Sequence, residues 1–381
     1  MNERNKHSMA IVRPFRPNVA EMAVYRPFLR LADLSFYFTC PSLPEYLAQL
    51  NSLGLEGIKA FRYTGYTDFI RSSVWQRFID FKVGLGSYML SQRTGLIRHD
   101  YVNIVDPIYA FCDQIARLLR PSQRLVMVRW ENQYGRYDRI WMASRRARRV
   151  FKRTDVIVCV TKASLYSLQL PRDCSAKVVQ IYPGIDLRHI DTQNHGGRTR
   201  NDPPIILFVG RLQWTKGLQI LLAAISIVRK HMRLPIRLRI IGGGDEKPFR
   251  NLAESLELHD SVEFLGVLPN ETVRHLMQGA NLFCFPSLLS CNWMEQFGFA
   301  LVEAMAHALP VVAFDSGAIK EICGDDGVYA STGNAFALAD ALAAVLRDEK
   351  LAADRGHRLR LRVLEEFDAD RQGTKMMGSV L

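Results

Sequence analysis

The sequence predicts an α/β protein with two doubly wound parallel sheets, each in a domain of its own. Three observations carry this. Apolar runs of strand length, such as Tyr101–Val105, Ile205–Val209 and Leu282–Phe285, alternate with stretches of helical length along the chain. Strands buried on both faces read as such continuous runs, and strand–helix alternation implies parallel pairing. Midway, Asp191–Pro204 is polar, rich in Gly, Asn and Pro, and lacks any periodicity, after which the alternation starts afresh. The expected organisation is a first domain over 1–190, a linker over 191–204 and a second domain over 205–367.

Composition bounds the function. The length of 381 residues suits two or three domains. With 48% hydrophobic and 23% charged residues, the chain has material for sizeable cores. No uncharged apolar run approaches the roughly 18–20 residues of a membrane-spanning helix, and Met1–Arg16 is basic, without the apolar core of a signal peptide. Seven scattered cysteines show no metal-ligand spacing, so reduced thiols in a cytoplasmic protein are expected. The net charge of +12 is densest at Arg145, Arg146, Arg148, Arg149, Lys152 and Arg153, on a predicted helix. The plainer reading is a solvated helix face. The functional one is peripheral attachment to an anionic inner-membrane face, where each basic residue contributes about 1 kcal/mol. Nucleic acid is not expected as a partner, because neither a reader module nor an aromatic platform accompanies the charge.

In chain order, a first strand is predicted over Met9–Arg13, followed by the loop Pro14-Phe15-Arg16-Pro17-Asn18. Further strands are read at Leu34–Phe38, Tyr101–Val105, Leu125–Arg129, Asp155–Val160 and Lys177–Tyr182, with a helix at Tyr109–Leu119. Thr161 has the short polar side chain of an N-cap. The strand 125–129 ends at Trp130-Glu131-Asn132, a carboxyl-end position where loops carry function. Glu131 is a site candidate there; its alternative is a capping residue beside a core tryptophan.

The second domain opens with the strand 205–209, then Gly210-Arg211-Leu212-Gln213-Trp214-Thr215-Lys216-Gly217 and a helix over Leu218–Lys230. A strand over Ile236–Ile241 leads into Gly242-Gly243-Gly244, and a helix (246–256), a strand (262–265) and a helix from Asn270 follow. Leu282–Phe285 stops at Pro286-Ser287. Beyond it lies Glu295-Gln296-Phe297-Gly298-Phe299-Ala300-Leu301-Val302-Glu303, with two carboxylates flanking a glycine where a helix would begin. In open parallel sheets, ligands sit outside the carboxyl ends of strands and beside helix N-termini. The pair suits a sugar and its phosphate, although two carboxylates at this spacing also arise by chance. Leu351–Leu381 is helical with a break at Glu366-Phe367-Asp368. Asp368-Ala369-Asp370 spells a possible cation motif, but at a helix start aspartate more simply caps.

The stretch from Glu295 to Glu303, with the following Glu-Ala-Met-Ala and Leu-Pro-Val-Val, resembles the signature of the family 4 retaining glycosyltransferases. The resemblance is motif-specific from Lys177 to Leu381 and a compatible pattern before that. It implies two Rossmann-like domains facing across a cleft, the GT-B arrangement, with the terminal helix 368–381 crossing back to an acceptor-side first domain. It also implies metal-independent transfer, with no cofactor, from a nucleoside-diphosphate sugar such as a UDP- or GDP-sugar. The acceptor would be a glycan, a lipid-linked glycan or a small molecule. By the same resemblance Arg211 and Lys216, with the amides following Gly298 at Phe299, Ala300 and Leu301, hold the diphosphate. Glu303 meets the ribose, Gly243 and Gly244 line the nucleoside pocket, and Glu295 holds the transferred sugar. Glu131 matches the Trp-Glu-Asn-like sequence that some members carry near the acceptor. The loop at 14–18 departs from the glycine-rich first loop usual in the family. Two alternatives share the fold: a sugar-nucleotide epimerase, which lacks this Arg/Lys and paired-glutamate set, and an inactive scaffold.

Overall fold

The computed structural model describes residues 6–13, 19–38, 43–62, 93–107, 109–130, 144–190, 201–290 and 294–381. It divides into two units, Met1–Asp186 with Asp368–Leu381, and Leu187–Phe367. The first therefore ends before the expected 190. Asp186 is held in it by Arg26 at 3.3 Å. The expected linker lies largely outside the described residues. Its end belongs to the second unit: Asn201 donates to the Gly279 carbonyl at 2.7 Å, and Arg237 N–H to the Pro204 carbonyl at 2.9 Å.

The first unit holds strands β1 (His7–Val12), β2 (Ala32–Phe38), β3 (Lys59–Arg62), β4 (Tyr101–Ile104), β5 (Arg124–Arg129), β6 (Val156–Cys159) and β7 (Lys177–Gln180). They form one parallel sheet in the order β3-β2-β1-β4-β5-β6-β7. Side chains alternate between two buried layers, as the pleat requires. Met9, Ile11, Phe36, Val126 and Val158 face one core; Ala10, Val12, Val102, Met127 and Ile157 face the other. The helices are α1 (Val19–Met22), α2 (Leu43–Ser52), α3 (Arg93–Leu96), α4 (Ala110–Leu118), α5 (Arg145–Arg153) and α6 (Lys162–Tyr166). Phe111 and Ile115 of α4, with Val150 and Phe151 of α5, cover the second layer. Thr161 caps α6 in a full capping box with Ser164.

The second unit holds β8 (Ile205–Val209), β9 (Arg237–Ile241), β10 (Val262–Gly266), β11 (Leu282–Phe285), β12 (Val311–Phe314) and β13 (Val328–Ala330). All are parallel, in the order β10-β9-β8-β11-β12-β13. Its helices are α7 (Leu218–Lys230), α8 (Lys247–Ser255), α9 (Asn270–Gly279), α10 (Phe299–Ala306), α11 (Ile319–Cys323), α12 (Ala335–Arg347) and α13 (Glu349–Glu366). Leu221, Leu222 and Ile225 of α7 and Leu338 and Leu342 of α12 bury one face against Phe208, Ile240 and Cys284.

The last helix, α14 (Ala369–Val380), packs on the first unit, where Met376 and Val380 join its core. Gly373 permits this, since a Cβ there would lie 2.1 Å from the Val24 carbonyl oxygen. Asp368 accepts from the Asp370 amide at 2.9 Å and caps α14. Asp370 receives Arg26 through two hydrogen bonds, at 2.7 and 2.5 Å. The two aspartates thus have capping and anchoring roles.

Candidate active site

In both sheets the strand order runs outward from the first strand in two directions, so the chain switches direction between β8 and β11 in the second unit. Loops leaving the carboxyl ends of that pair diverge and open a crevice. Arg211 and Lys216 leave β8, and Glu295 lies on the loop leaving β11. Strand order alone places these candidates at one end of the sheet.

The two loops are joined backbone to backbone. Leu288 N–H donates to the Thr215 carbonyl at 2.8 Å. Gly217 (φ 73°) sits so close to the neighbouring loop that a Cβ would lie 1.8 Å from the Pro286 carbonyl oxygen. Lys216 ends a 3₁₀ turn, Trp214–Lys216, just before that glycine. Its ammonium is 2.6 Å from Glu295 Oε2, and 5.7 Å from the centre of the Phe285 ring. The Ser287 hydroxyl donates to the same Oε2 at 2.9 Å. The main chain of Glu295 is held too: its carbonyl accepts from Ala318 N–H at 3.0 Å. Glu295 is only 7% exposed, so its charge is compensated in place rather than by water.

Arg211 differs. It is exposed and forms no ion pair with any described residue. Gly298 is the N-cap of α10 with φ 82°, so Phe299, Ala300 and Leu301 form the first helical residues, at the positive end of the helix dipole. Glu303 is the fifth residue of α10. Its carboxylate accepts no hydrogen bond from any described residue, and burial pushes it up to about 7, opposed by the charge of Arg274. A poised, unpartnered carboxylate of this kind is a site candidate on physical grounds.

Gly243 and Gly244 follow β9 and meet the loop after β8. Leu212 N–H donates to the Gly243 carbonyl at 2.8 Å. A Cβ on Gly244 (φ 142°) would lie 2.7 Å from the Leu212 carbonyl oxygen. Close packing of these two loops therefore gives Gly244 a structural reason, whereas a Cβ on Gly243 would meet the Val267 side chain at 2.8 Å.

Among the first-unit candidates, Glu131 and the loop at 14–18 lie outside the described residues. The structure does show how the chain is held just before Glu131. Asp106, at 2% exposure, accepts from the Arg129 guanidinium at 3.0 Å and from the Trp130 amide at 2.8 Å. On α5 four of the six cations have a carboxylate partner. Arg148 and Lys152 pair with Asp173, Arg149 with Asp113 and Arg153 with Asp155. Arg145 and Arg146 are exposed and form no ion pair among the described residues. Among those residues, no helix is long and apolar enough to cross a membrane.

Of the predicted site residues, the structure brings Lys216 and Glu295 into contact; it places Arg211 on the same loop as Lys216, and Glu303 on the helix that Gly298 caps. Sequence reasoning assigned no role to Ser287. Its one signal was its place directly after an apolar strand.

Residues 190–362 match the family described as Glycosyl transferases group 1. The chain is 37% identical over 149 residues to a phosphatidyl-myo-inositol mannosyltransferase of Mycobacterium leprae, covering 38% of each chain. It is 31% identical over 214 residues to a D-inositol 3-phosphate glycosyltransferase of Corynebacterium urealyticum, covering 51% of this chain and 49% of that one. It thus spans half or less of the length of these curated relatives. Among solved structures, Anabaena Alr3699/HepE in complex with UDP and glucose superposes with a TM-score of 0.73 over 98% of this chain and 99% of that one, at 17% identity. Sucrose-phosphate synthase from Thermosynechococcus elongatus superposes with 0.71 over 98% of both, also at 17%. At that identity the likeness carries the fold, and with the two parallel sheets it gives the GT-B class. Residues 190–362, within the second unit, are thus similar to the glycosyl transferases group 1 family.

Proposed function

We propose that the chain is a retaining, metal-independent glycosyltransferase that moves a sugar from a nucleoside-diphosphate sugar to a glycan, lipid-linked glycan or small-molecule acceptor. The observation that supports this most is the cluster at the carboxyl ends of β8 and β11, where Lys216 meets a buried Glu295 at 2.6 Å. Cleavage of the donor leaves negative charge on the diphosphate. Fixed cations and oriented dipoles stabilise such charge when they are in place before it develops. Arg211, Lys216 and the N-terminal turn of α10 are groups of that kind, and Glu303 is an acceptor for ribose hydroxyls. The solved neighbour in complex with UDP and glucose, and the names of the curated relatives, favour the same donor class.

The test is purified protein incubated with a panel of nucleoside-diphosphate sugars and candidate acceptors, with and without EDTA. The expected result is release of the nucleoside diphosphate with formation of a product of retained anomeric configuration, surviving the chelator. Interconversion of the sugar nucleotide without transfer would instead identify an epimerase, and no turnover with any donor a scaffold. Loss of turnover in EDTA, restored by magnesium or manganese, would overturn metal independence.

A cytoplasmic location with peripheral membrane attachment belongs to the same proposal, supported by Arg145 and Arg146, two exposed cations of α5 that form no ion pair among the described residues. Attachment to anionic vesicles should be weak and should vanish at raised salt, where the Debye length falls below about 8 Å. Co-sedimentation with vesicles at two ionic strengths checks this, and an Arg145→Ala, Arg146→Ala double variant should abolish it.

A further inference from the structure

We infer that Ser287 is a positioning residue for the transfer step, holding the Glu295 carboxylate in place while Lys216 turns its charge to the donor diphosphate. This rests on the reading of the crevice given above. Glu295 Oε2 accepts from two donors, the Lys216 ammonium at 2.6 Å and the Ser287 hydroxyl at 2.9 Å. The two are not equivalent. Lys216 is a flexible cation with three N–H donors, and a diphosphate is a stronger attractor for it than one carboxylate. Ser287 is neutral, short and 1% exposed. Its backbone is held between the Pro286 carbonyl, packed on Gly217, and the Leu288 amide, bonded to Thr215. Its hydroxyl therefore stays where it is when a ligand arrives.

The consequence is a division of labour within one hydrogen-bonded cluster. A buried carboxylate that loses one donor is left with an unsatisfied charge unless a second donor remains. Displacement of a reacting group by even about 1 Å can cost a hundredfold in rate. With Ser287 in place, Glu295 keeps its orientation toward the transferred sugar after Lys216 engages the phosphates. Without it, Oε2 lacks the neutral donor that stays in place when Lys216 turns to the phosphates. Ser287 would thus act on turnover, whereas Lys216 acts on binding.

The test uses the full-length protein with the donor found active in the panel. Ser287→Ala is expected to lower kcat about tenfold or more, the order for losing one hydrogen bond to a charged group. The donor KM and the affinity for the free nucleoside diphosphate, measured by calorimetry, should stay within about twofold. Ser287→Thr, which keeps the hydroxyl, should recover most of the rate. In a Glu295→Ala background the further change Ser287→Ala should leave kcat unaltered, because the oxygen it donates to is gone. A role in loop structure alone would give the opposite pattern, with diphosphate affinity falling in step with kcat and the loss repeated in the Glu295→Ala background. That pattern, or an unchanged kcat in Ser287→Ala, overturns the inference. If Lys216→Ala loses diphosphate affinity while Ser287→Ala turns over normally, only this inference fails. If the protein binds no nucleoside diphosphate at all, the proposed function fails and takes the inference with it.

Discussion

The two units repeat one strand order and fill its switch point differently. In the first unit the position between β1 and β4 is occupied by protein. Arg13, which ends the expected first strand, is 3% exposed. Its guanidinium donates to the Val12 carbonyl at 3.0 Å, to Asn103 Oδ1 at 2.9 Å and to the Tyr25 hydroxyl at 2.5 Å, with Glu21 at 3.8 Å. Burial raises the Tyr25 hydroxyl above its usual range, which keeps it a neutral hydrogen-bonding member of the network. In the second unit the equivalent position is bounded by glycines, Arg211 reaches solvent, and Lys216 is met by a glutamate rather than enclosed by a network. Topology marks where a crevice can form, and side chains decide whether it holds protein or ligand. The unit whose first loop lacks glycines is the one with its arginine drawn inside.

The comparison can be broken by exchanging stability for binding. Arg13→Ala should have the largest effect on stability. It takes a donor from Asn103 and from Tyr25, which keep their mutual bond at 3.3 Å, and the charge from beside Glu21, and removing one partner of a buried charged cluster costs about 3–5 kcal/mol. Urea denaturation should show that loss, while the folded fraction binds nucleoside diphosphate normally. If Arg13→Ala unfolds no more readily than the parent protein, the first-unit crevice is not a structural plug.

Arg211→Ala should behave in the opposite way. Exposed and without an ion pair among the described residues, it contributes little to the fold, yet a charge-assisted contact to phosphate is worth about 1.5–3 kcal/mol. Calorimetry should record that loss of nucleoside-diphosphate affinity with an unchanged unfolding midpoint. Lys216→Ala should lose similar affinity and also some stability, because Glu295 would remain buried with Ser287 as its nearest donor. Glu295→Gln sharpens the contrast. It removes the charge that competes with the diphosphate for Lys216, so turnover should fall while diphosphate affinity holds or rises. Wild-type affinity in both Arg211→Ala and Lys216→Ala would place the phosphates elsewhere.

What could be read in advance follows from how local each feature is. The strand Ile205–Val209 and the helix Leu218–Lys230 were legible residue for residue, because an apolar run and a helical period between glycines are properties of adjacent residues. By contrast, β13 is three residues long and exists as a strand through its pairing with β12, Val312 opposite Val328. Nothing local marks it, and no element is predicted from the sequence at α11 or α12 on either side. The candidate site shows the same division. Glu295, Glu303, Arg211 and Lys216 could be picked from motifs, but the contact between Lys216 and Glu295 joins residues 79 positions apart. Ser287 lacked even a motif role. The basic run on α5 is legible as charge, whereas the pairing of four of its cations with Asp113, Asp155 and Asp173 depends on the packing of α5 beside neighbouring segments.

The two glutamates of the second unit give the smallest effect and the finest comparison, since one is compensated and the other is not. Glu295 has its lysine and its serine. Glu303 has neither, and burial places its carboxyl at about 7. In the donor-free protein the proton therefore comes on as the pH falls through 7. A neutral carboxyl accepts hydrogen bonds from ribose hydroxyls less strongly than a carboxylate does. A nucleoside-diphosphate sugar has no phosphate group that titrates in this range, so the pH dependence of its binding reports on the protein. The ionised fraction of a group with a pKa near 7 drops about tenfold between pH 8 and pH 6. Donor affinity should fall by up to that factor over the same interval, entering KM rather than kcat because the contact is present in both ground and transition states. Glu303→Gln should bind the donor more weakly than the parent protein at pH 8 and show a flat profile between pH 6 and pH 8. Calorimetric titration of the donor at three pH values decides the matter: a parent profile as flat as the variant's would mean that Glu303 stands away from the nucleoside.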